Sequence, residues 1–362
     1  MKMILEDICI GELEMSYKKR GSSSVTIYDI AQMAHVSPTT VSKVINGRYG
    51  VSEKTYKKVQ EIVTASGFMP KISVNNTNYI AIVYSNQKSD MFESPFTHKI
   101  LKGADNAIHS SDYYMTLIPL KSLPETREEF TVFCHRQGIA GCIFVNIMPG
   151  EESRKVVQIS GVIPFVIINA RCPDAPNMFS VISNDYFGAY RAVSYMIECG
   201  HRRIAMATIP GSLHEAHEMR QDAYQMALKS YGIVNPDSYI FNAASLSYED
   251  FEKIEKNWEQ NGIVPTAIFC LDDGFAMTLI RYLQHMGKRV PEDISLIGFD
   301  DYDYDTIIMP NLTTVRQKLF EKGQRAVEII IEVLAGRLQC TEDTRNQVFE
   351  TELVIRDSVR RL

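Results

Sequence analysis

From residue 79 onward the chain alternates two signals that few folds accommodate together. Short, nearly unbroken apolar runs occur at YIAIVYS (79–85), YYMTLIPL (113–120), GCIFVNI (141–147), PFVIINA (164–170), RIAMATIP (203–210), TAIFCLD (266–272) and ISLIGFD (294–300). Stretches with helical spacing separate or follow them, at 97–110, 125–137, 186–199, 215–231, 248–260, 273–286 and 318–335. A run that is apolar at successive positions suits a strand buried on both faces, the condition of a parallel sheet covered by helices. Alternating strand and helix signals predict doubly wound parallel sheets. Residues 80–362 exceed what one core usually holds, so two similar lobes are expected. In such sheets ligands bind beyond the carboxyl ends of the strands.

The segment before this pattern reads differently. VTIYDIAQMAHVSPTTVSKVINGRYGVSEKTYKKVQEIVTASGFMP (25–70) parses into three short helices. Thr26 is an N-cap candidate with Asp29 in the first turn, and Ile27, Ile30, Ala31 and Ala34 follow at helical spacing. His35-Val36 breaks the pattern. Ser37 caps a second helix with Pro38 at its first position, where the missing N–H costs nothing. Val41, Val44 and Ile45 form its apolar stripe, and Asn46-Gly47 ends it. Ser52 starts a third helix whose buried face is Tyr56, Val59, Ile62 and Val63. Two helices joined by a tight turn, with a third closing the core, can present one helix to a DNA major groove; a generic small bundle would satisfy the same parse.

The string T-I-Y-D-I-A-Q-M-A-H-V-S-P-T-T-V-S-K-V-I-N-G (26–47) is more specific, and it resembles the head of the lac repressor (LacI/GalR) family. The resemblance continues through ISNDYFGAYRAVSYMIECGHRRIAMA (182–207), AIFCLDDGFAMTLIRYLQHMGKRVPEDISLIGFDD (267–301), PNLTTVRQ (310–317) and ETELVIRDS (350–358). It implies an all-α helix-turn-helix head joined to an α/β two-lobed effector domain of the periplasmic-binding-protein-like (type I) kind. Three crossovers between lobes would lie near 182, 312 and 342. By position, Ser37, Pro38, Thr39, Thr40, Ser42 and Lys43 would begin the recognition helix, while Thr26, Tyr28 and Asn46 would contact phosphates. Pro38 and Thr39 occupy the positions that select the operator, and because Pro38 has no donor, Thr39 would carry more of the readout. His35 stands where the family often has Gly, at a turn that favours positive φ.

The expected organisation is an N-terminal extension at 1–24, the head at 25–70, a short linker at 71–79 and the effector-binding and dimerisation domain at 80–362. The linker KISVNNTNY is shorter than the family's usual hinge and lacks its leucine wedge, so a plain tether is the simpler reading. Within the family frame the effector candidates are Phe96, Arg171, Asp185, Arg220, Asp273 and Asp300. Phe96 could stack on a sugar face; the arginines and carboxylates suit hydroxyl groups. Alternatively, Asp185, Asp273 and Asp300 could cap the helices that follow, and Arg220 could sit in an ion pair. Two departures stand beside these: Ala223 where the family has Gly, and Asp272 where Asn is frequent.

Charge supports the division. Residues 17–71 carry nine Lys/Arg against three Asp/Glu, within a chain of net charge −6. A basic head on an acidic body suits a polyanionic partner for the head, although a basic solvated face would look the same. The seven scattered cysteines contain no C-x-x-C pair, and only His214 and His217 hint at metal spacing, so neither a disulfide framework nor a metal or cofactor is expected. No G-x-S-x-G, Walker A or kinase string occurs, which argues against an enzyme. No apolar run is long enough to span a membrane, and a cytoplasmic location is expected. The reading is a regulator that binds a double-stranded operator as a homodimer and answers to a sugar-like effector. The alternative is a sugar-binding protein with a vestigial head.

Overall fold

The computed structural model describes residues 25–45, 50–66, 78–85, 94–209, 215–234, 239–242 and 247–362. Asn46, the 1–24 extension, most of the linker and His214 lie outside them.

The head is built from α1 (Ile27–Ala34), α2 (Pro38–Ile45) and α3 (Glu53–Ser66). A capping box starts α1: the Asp29 N–H donates to Thr26 Oγ1, and the Thr26 N–H donates to Asp29 Oδ2 at 2.8 Å. The helix ends at His35, which adopts a left-handed conformation with φ 53°. This is the turn at which glycine was the expected residue, and the histidine carries the positive φ instead. Ser37 caps α2 by accepting from the Thr40 N–H at 3.1 Å, and Ser52 caps α3 by accepting from the Thr55 N–H. Ile30, Ala31, Ala34, Val41, Val44, Ile45 and Val59 form the shared core.

The remaining elements run β1 (Tyr79–Tyr84), α4 (Pro95–Ile108), β2 (Tyr114–Pro119), α5 (Arg127–Gln137), β3 (Ile139–Val145), α6 (Glu151–Gln158), β4 (Phe165–Ile168), β5 (Met178–Ser183), α7 (Asp185–Glu198), β6 (Ile204–Thr208), α8 (Glu215–Ser230), β7 (Ile240–Asn242), α9 (Tyr248–Gln260), β8 (Ala267–Cys270), α10 (Asp273–His285), β9 (Ser295–Ile297), β10 (Thr314–Arg316), α11 (Leu319–Leu334), α12 (Glu342–Arg345), β11 (Asn346–Phe349) and β12 (Glu352–Val354). One sheet has the order β11-β5-β4-β3-β1-β2 and a second has β7-β6-β8-β9. Every pairing in both is parallel. All residues of β3, β4, β5, β6, β8 and β9 are buried, as their unbroken apolar runs require. The order 2-1-3-4-5 in the first sheet is the flavodoxin-like winding, and the second repeats its first four strands.

The chain crosses between lobes at Ser183–Asp185 and along β10, and it returns after β11. The third crossing is therefore later than 342, because β11 first pairs with β5 as an extra edge strand of the first sheet. The short antiparallel pair β10-β12 lies in the crossover region.

Helices α4 and α11 cover one face of the first sheet and touch backbone to backbone. A Cβ built on Gly103 would lie 1.8 Å from the Phe320 carbonyl oxygen, and one on Gly323 would lie 2.0 Å from the Ile100 carbonyl oxygen. The two glycines thus set how closely the helices approach. Gly103→Ala is expected to destabilise the body by about 1–3 kcal/mol, because no side chain can move to relieve a clash with backbone. Urea unfolding would read this, and an unchanged midpoint would contradict the contact.

Candidate effector cleft and DNA-facing head

A cleft of about 340 Å³ opens between the lobes, within the size range of small-ligand sites. Its walls come from the switch points of the winding, where neighbouring strands send their chains to opposite faces. Tyr84 ends β1 and Ser85 follows it, Asn146 and Ile147 follow β3, and Asp272 follows β8. Asn146, Asn169 and Asp300 all line the cleft with positive φ, at 57°, 65° and 129°. Non-glycine residues in such conformations gather where the surrounding structure holds them for a purpose.

Of the six candidates, Phe96, Arg220 and Asp300 line this cleft. Phe96 stands in the first turn of α4, which Ser94 caps. Arg220 is only 3% exposed. Its Nε and Nη2 donate to Asp185 Oδ1 at 2.8 and 2.7 Å, its Nη1 donates to the Leu271 carbonyl at 2.6 Å, and the guanidinium lies 3.7 Å from the Phe299 ring centroid. Asp300 accepts from Gln317 Nε2. Burial pushes the Asp300 carboxyl up to about 8; Arg220 opposes this, and Asp273 and Asp272 add to it.

The other three are placed differently. Asp185 lies beneath the lining as the ion-pair partner of Arg220. Asp273 is fully buried and works as a brace. Its Oδ2 accepts from the Asp301 N–H at 2.6 Å and its Oδ1 accepts from Thr314 Oγ1 at 2.5 Å, tying the loop after β9 to the second crossover. Burial and the neighbouring Asp305 carboxyl push Asp273 well up. Arg171 is half exposed and pairs with Glu215 at 3.3 Å, at the start of α8. A strand-end position brought each near the site, but their side chains are taken by protein partners and do not line the cleft. Helix capping at β8 is done by Asp272, which accepts from the Phe275 N–H at 2.7 Å; Asp273, expected as a cap or a contact, does not cap the helix and does not line the cleft. Burial raises the Asp272 carboxyl too.

Several lining residues were not singled out from the sequence, Asn146, Asn169, Gln317 and Tyr302, and His217 was noted only for its spacing from His214. Two left a signal, since Asn146 and Asn169 interrupt apolar runs at their carboxyl ends.

In the head, Tyr28 is 72% exposed, and Thr39 and Lys43 also face solvent. Thr26, Ser37 and Pro38 are exposed as well, while Thr40 and Ser42 are half-buried. The Ser37 and Thr40 hydroxyls bond each other at 2.9 Å, so both serve the helix start.

Comparison with known proteins gives this arrangement a family. Residues 26–71 match the bacterial regulatory proteins of the lacI family, and residues 193–359 match the periplasmic binding protein-like domain. The chain is 30% identical over 345 residues to the HTH-type transcriptional repressor PurR of Aliivibrio fischeri (strain MJ11), covering 92% of this chain and 98% of that one. The chain belongs to the lacI family. It is thus a DNA-binding transcriptional regulator with a helix-turn-helix head and a periplasmic-binding-protein-like body. Solved structures share the fold at lower identity. The transcriptional regulator CelR in complex with cellobiose is 24% identical with a TM-score of 0.65, covering 92% of this chain and 99% of that one. The lac repressor dimer bound to operator and the anti-inducer ONPF is 22% identical with a TM-score of 0.63, covering 93% of this chain and all of that one. This lacI-family regulator has no helix among its described residues long and apolar enough to cross a membrane.

Proposed function

We propose that this regulator is a cytoplasmic repressor that binds a two-fold related operator as a homodimer, and that a sugar-like effector in the inter-lobe cleft alters its affinity. The observation that carries the effector half is the convergence of Phe96, Arg220 and Asp300 on one cleft at the switch points of both sheets. An aromatic face, a fixed guanidinium and a carboxyl suit a compact polyhydroxylated ligand. The repressor name of the relative and the cellobiose in the CelR complex support the reading. Closure of the lobes on a ligand would change the spacing of paired heads, and effector and operator affinities would then be reciprocally linked by about 1–3 kcal/mol.

The DNA-facing roles of Thr26, Tyr28, Ser37, Pro38, Thr39, Thr40, Ser42, Lys43 and Asn46 belong to this proposal. The deciding experiment is salt-titrated binding of the full chain to DNA from upstream of its own coding region, with and without added sugars. Sequence-selective binding to a palindrome, changed by one sugar, is the expected result; weak sequence-blind binding that salt abolishes would defeat it. Lys43→Ala should weaken binding to all sequences and lower the salt slope by about one, as for a lost phosphate contact. Thr39→Ala should relax selectivity at one base pair by about 1 kcal/mol. If instead Thr39→Ala weakens all sequences equally, Thr39 does not read a base.

A further inference from the structure

Helix α11 places a lysine where its apolar face should continue. Leu319, Ala326, Val327 and Ile330 are buried on that face, and Lys322 is buried among them with no exposed surface. Among the described residues its ammonium has no direct carboxylate partner; it meets neutral oxygens instead. It donates to Ser183 Oγ at 2.8 Å, to Gln317 Oε1 at 3.0 Å and to Asn169 Oδ1. It also lies 5.8 Å from the centroid of the Phe96 ring. Three of these four neighbours, Asn169, Gln317 and Phe96, line the cleft, and they come from three different elements.

An ammonium has three donors and no acceptor. By claiming both amide oxygens it dictates which way the two amides face. Gln317 turns its Nε2 toward Asp300, and Asn169, a cleft-lining residue whose Oδ1 is taken by the ammonium, has only its Nδ2 left to offer a ligand. Ser183 adds a second lock by donating to Gln317 Oε1 at 3.1 Å. Ser183 and Gln317 sit in the first and second crossovers, so the same ammonium joins the hinge strands beneath the site. Nothing in apolar packing calls for a charge there, and burying one is costly unless its bonds are needed.

We propose that Lys322 is a positioning residue for the effector. It orients Asn169 and Gln317 as donors and steadies the Phe96 ring, so the cleft floor selects a ligand that offers acceptor oxygens beside an apolar face. This rests on the cleft being the effector site.

The test uses the full chain and its Lys322→Met and Lys322→Arg variants, with cellobiose, glucose and ribose as calorimetric probes across pH 6.5–9.5, a window about one unit or more to each side of the expected transition. Burial holds the Lys322 ammonium down to about 8, with Asp185 and Asp300 opposing and Arg220 reinforcing this. Affinity for a bound probe should therefore fall as pH passes through that value. Lys322→Met should bind about ten-fold more weakly, the effect of misdirected hydrogen bonds, with a flatter pH profile. Lys322→Arg keeps the donors without titrating, so it should restore binding and retain only the part of the profile that belongs to Asp300. Wild-type affinity and pH profile in Lys322→Met would overturn the proposal. If Lys322→Met does not fold, Asn169→Asp and Gln317→Glu decide: each removes an amide NH2, and unchanged probe binding in both would overturn it. Should wild type bind no probe, the carbohydrate reading fails. The side-chain amide NMR signals of Asn169 and Gln317 then decide the role of Lys322, moving in Lys322→Met if it orders them and staying if it does not.

Discussion

Replacing Arg220 with Ala is expected to lower the unfolding free energy of the body by about 3–5 kcal/mol, the usual cost of breaking a buried ion pair from one side. Three bonds to Asp185 and the Leu271 carbonyl would vanish, along with the contact over Phe299. What remains is the larger problem, because Asp185, only 4% exposed, would be left buried without its partner. The comparison that isolates this is the double variant Arg220→Leu with Asp185→Leu. It removes both charges and should recover most of the lost stability, even though the proposed ligand contact is gone. Effector response should stay absent in both. Urea unfolding of the three proteins would check this. If the double variant is as unstable as Arg220→Ala, the loss lies in packing and the ion-pair account is wrong.

The second large effect concerns pH. Asp300 in the folded body titrates at about 8, against 3.8 for its ordinary value. Between these values the folded state holds a proton that the unfolded chain has released. The stability contributed by that proton is complete below about pH 4 and is lost as pH rises through about 8, with a slope of at most about 1.4 kcal/mol per unit. Lys322 has the opposite displacement, from 10.5 down to about 8. Between pH 8 and 10.5 the unfolded chain binds the extra proton, so stability is regained there as pH rises. Together the two groups create a stability minimum near pH 8. Asp300→Asn should flatten the fall on the acid side of that minimum, and Lys322→Met should flatten the rise on its alkaline side. Unfolding measured at a series of pH values would show both. An Asp300→Asn protein with the wild-type slope between pH 5 and 8 would mean that the carboxyl is ionised throughout this range, contrary to its burial beside Asp273 and Asp272.

Both predictions depend on residues whose environment could not be read locally. Arg220 stood out by its motif position and Asp300 by closing an apolar run, but nothing adjacent in sequence indicates that Asp185 neutralises the arginine from 35 residues away. Asp272 and Asp273 show the limit most directly. They are neighbours at the end of one strand, yet the first caps α10 and faces the cleft while the second turns inward to brace Asp301 and Thr314. Successive side chains leave a strand end in different directions, and which direction meets ligand depends on what the other crossovers place there.

The sequence by itself determined the winding of the body and the three-helix head, because both rest on local periodicity: unbroken apolar runs for doubly covered strands, and caps such as Thr26 and Ser37 for short helices. It did not reveal α6, with its largely polar EESRKVVQ, the six-residue buried strand β5, or the brief strands β7, β10, β11 and β12, whose three or four residues carry too little pattern. Only the tertiary structure decided which strand-end residues form the cleft, that Arg171 stays outside it, and that Lys322 lies beneath its floor. The reason is physical: periodicity reports which face of an element is buried, whereas hydrogen-bond partners and titration depend on groups brought together across the fold from distant positions.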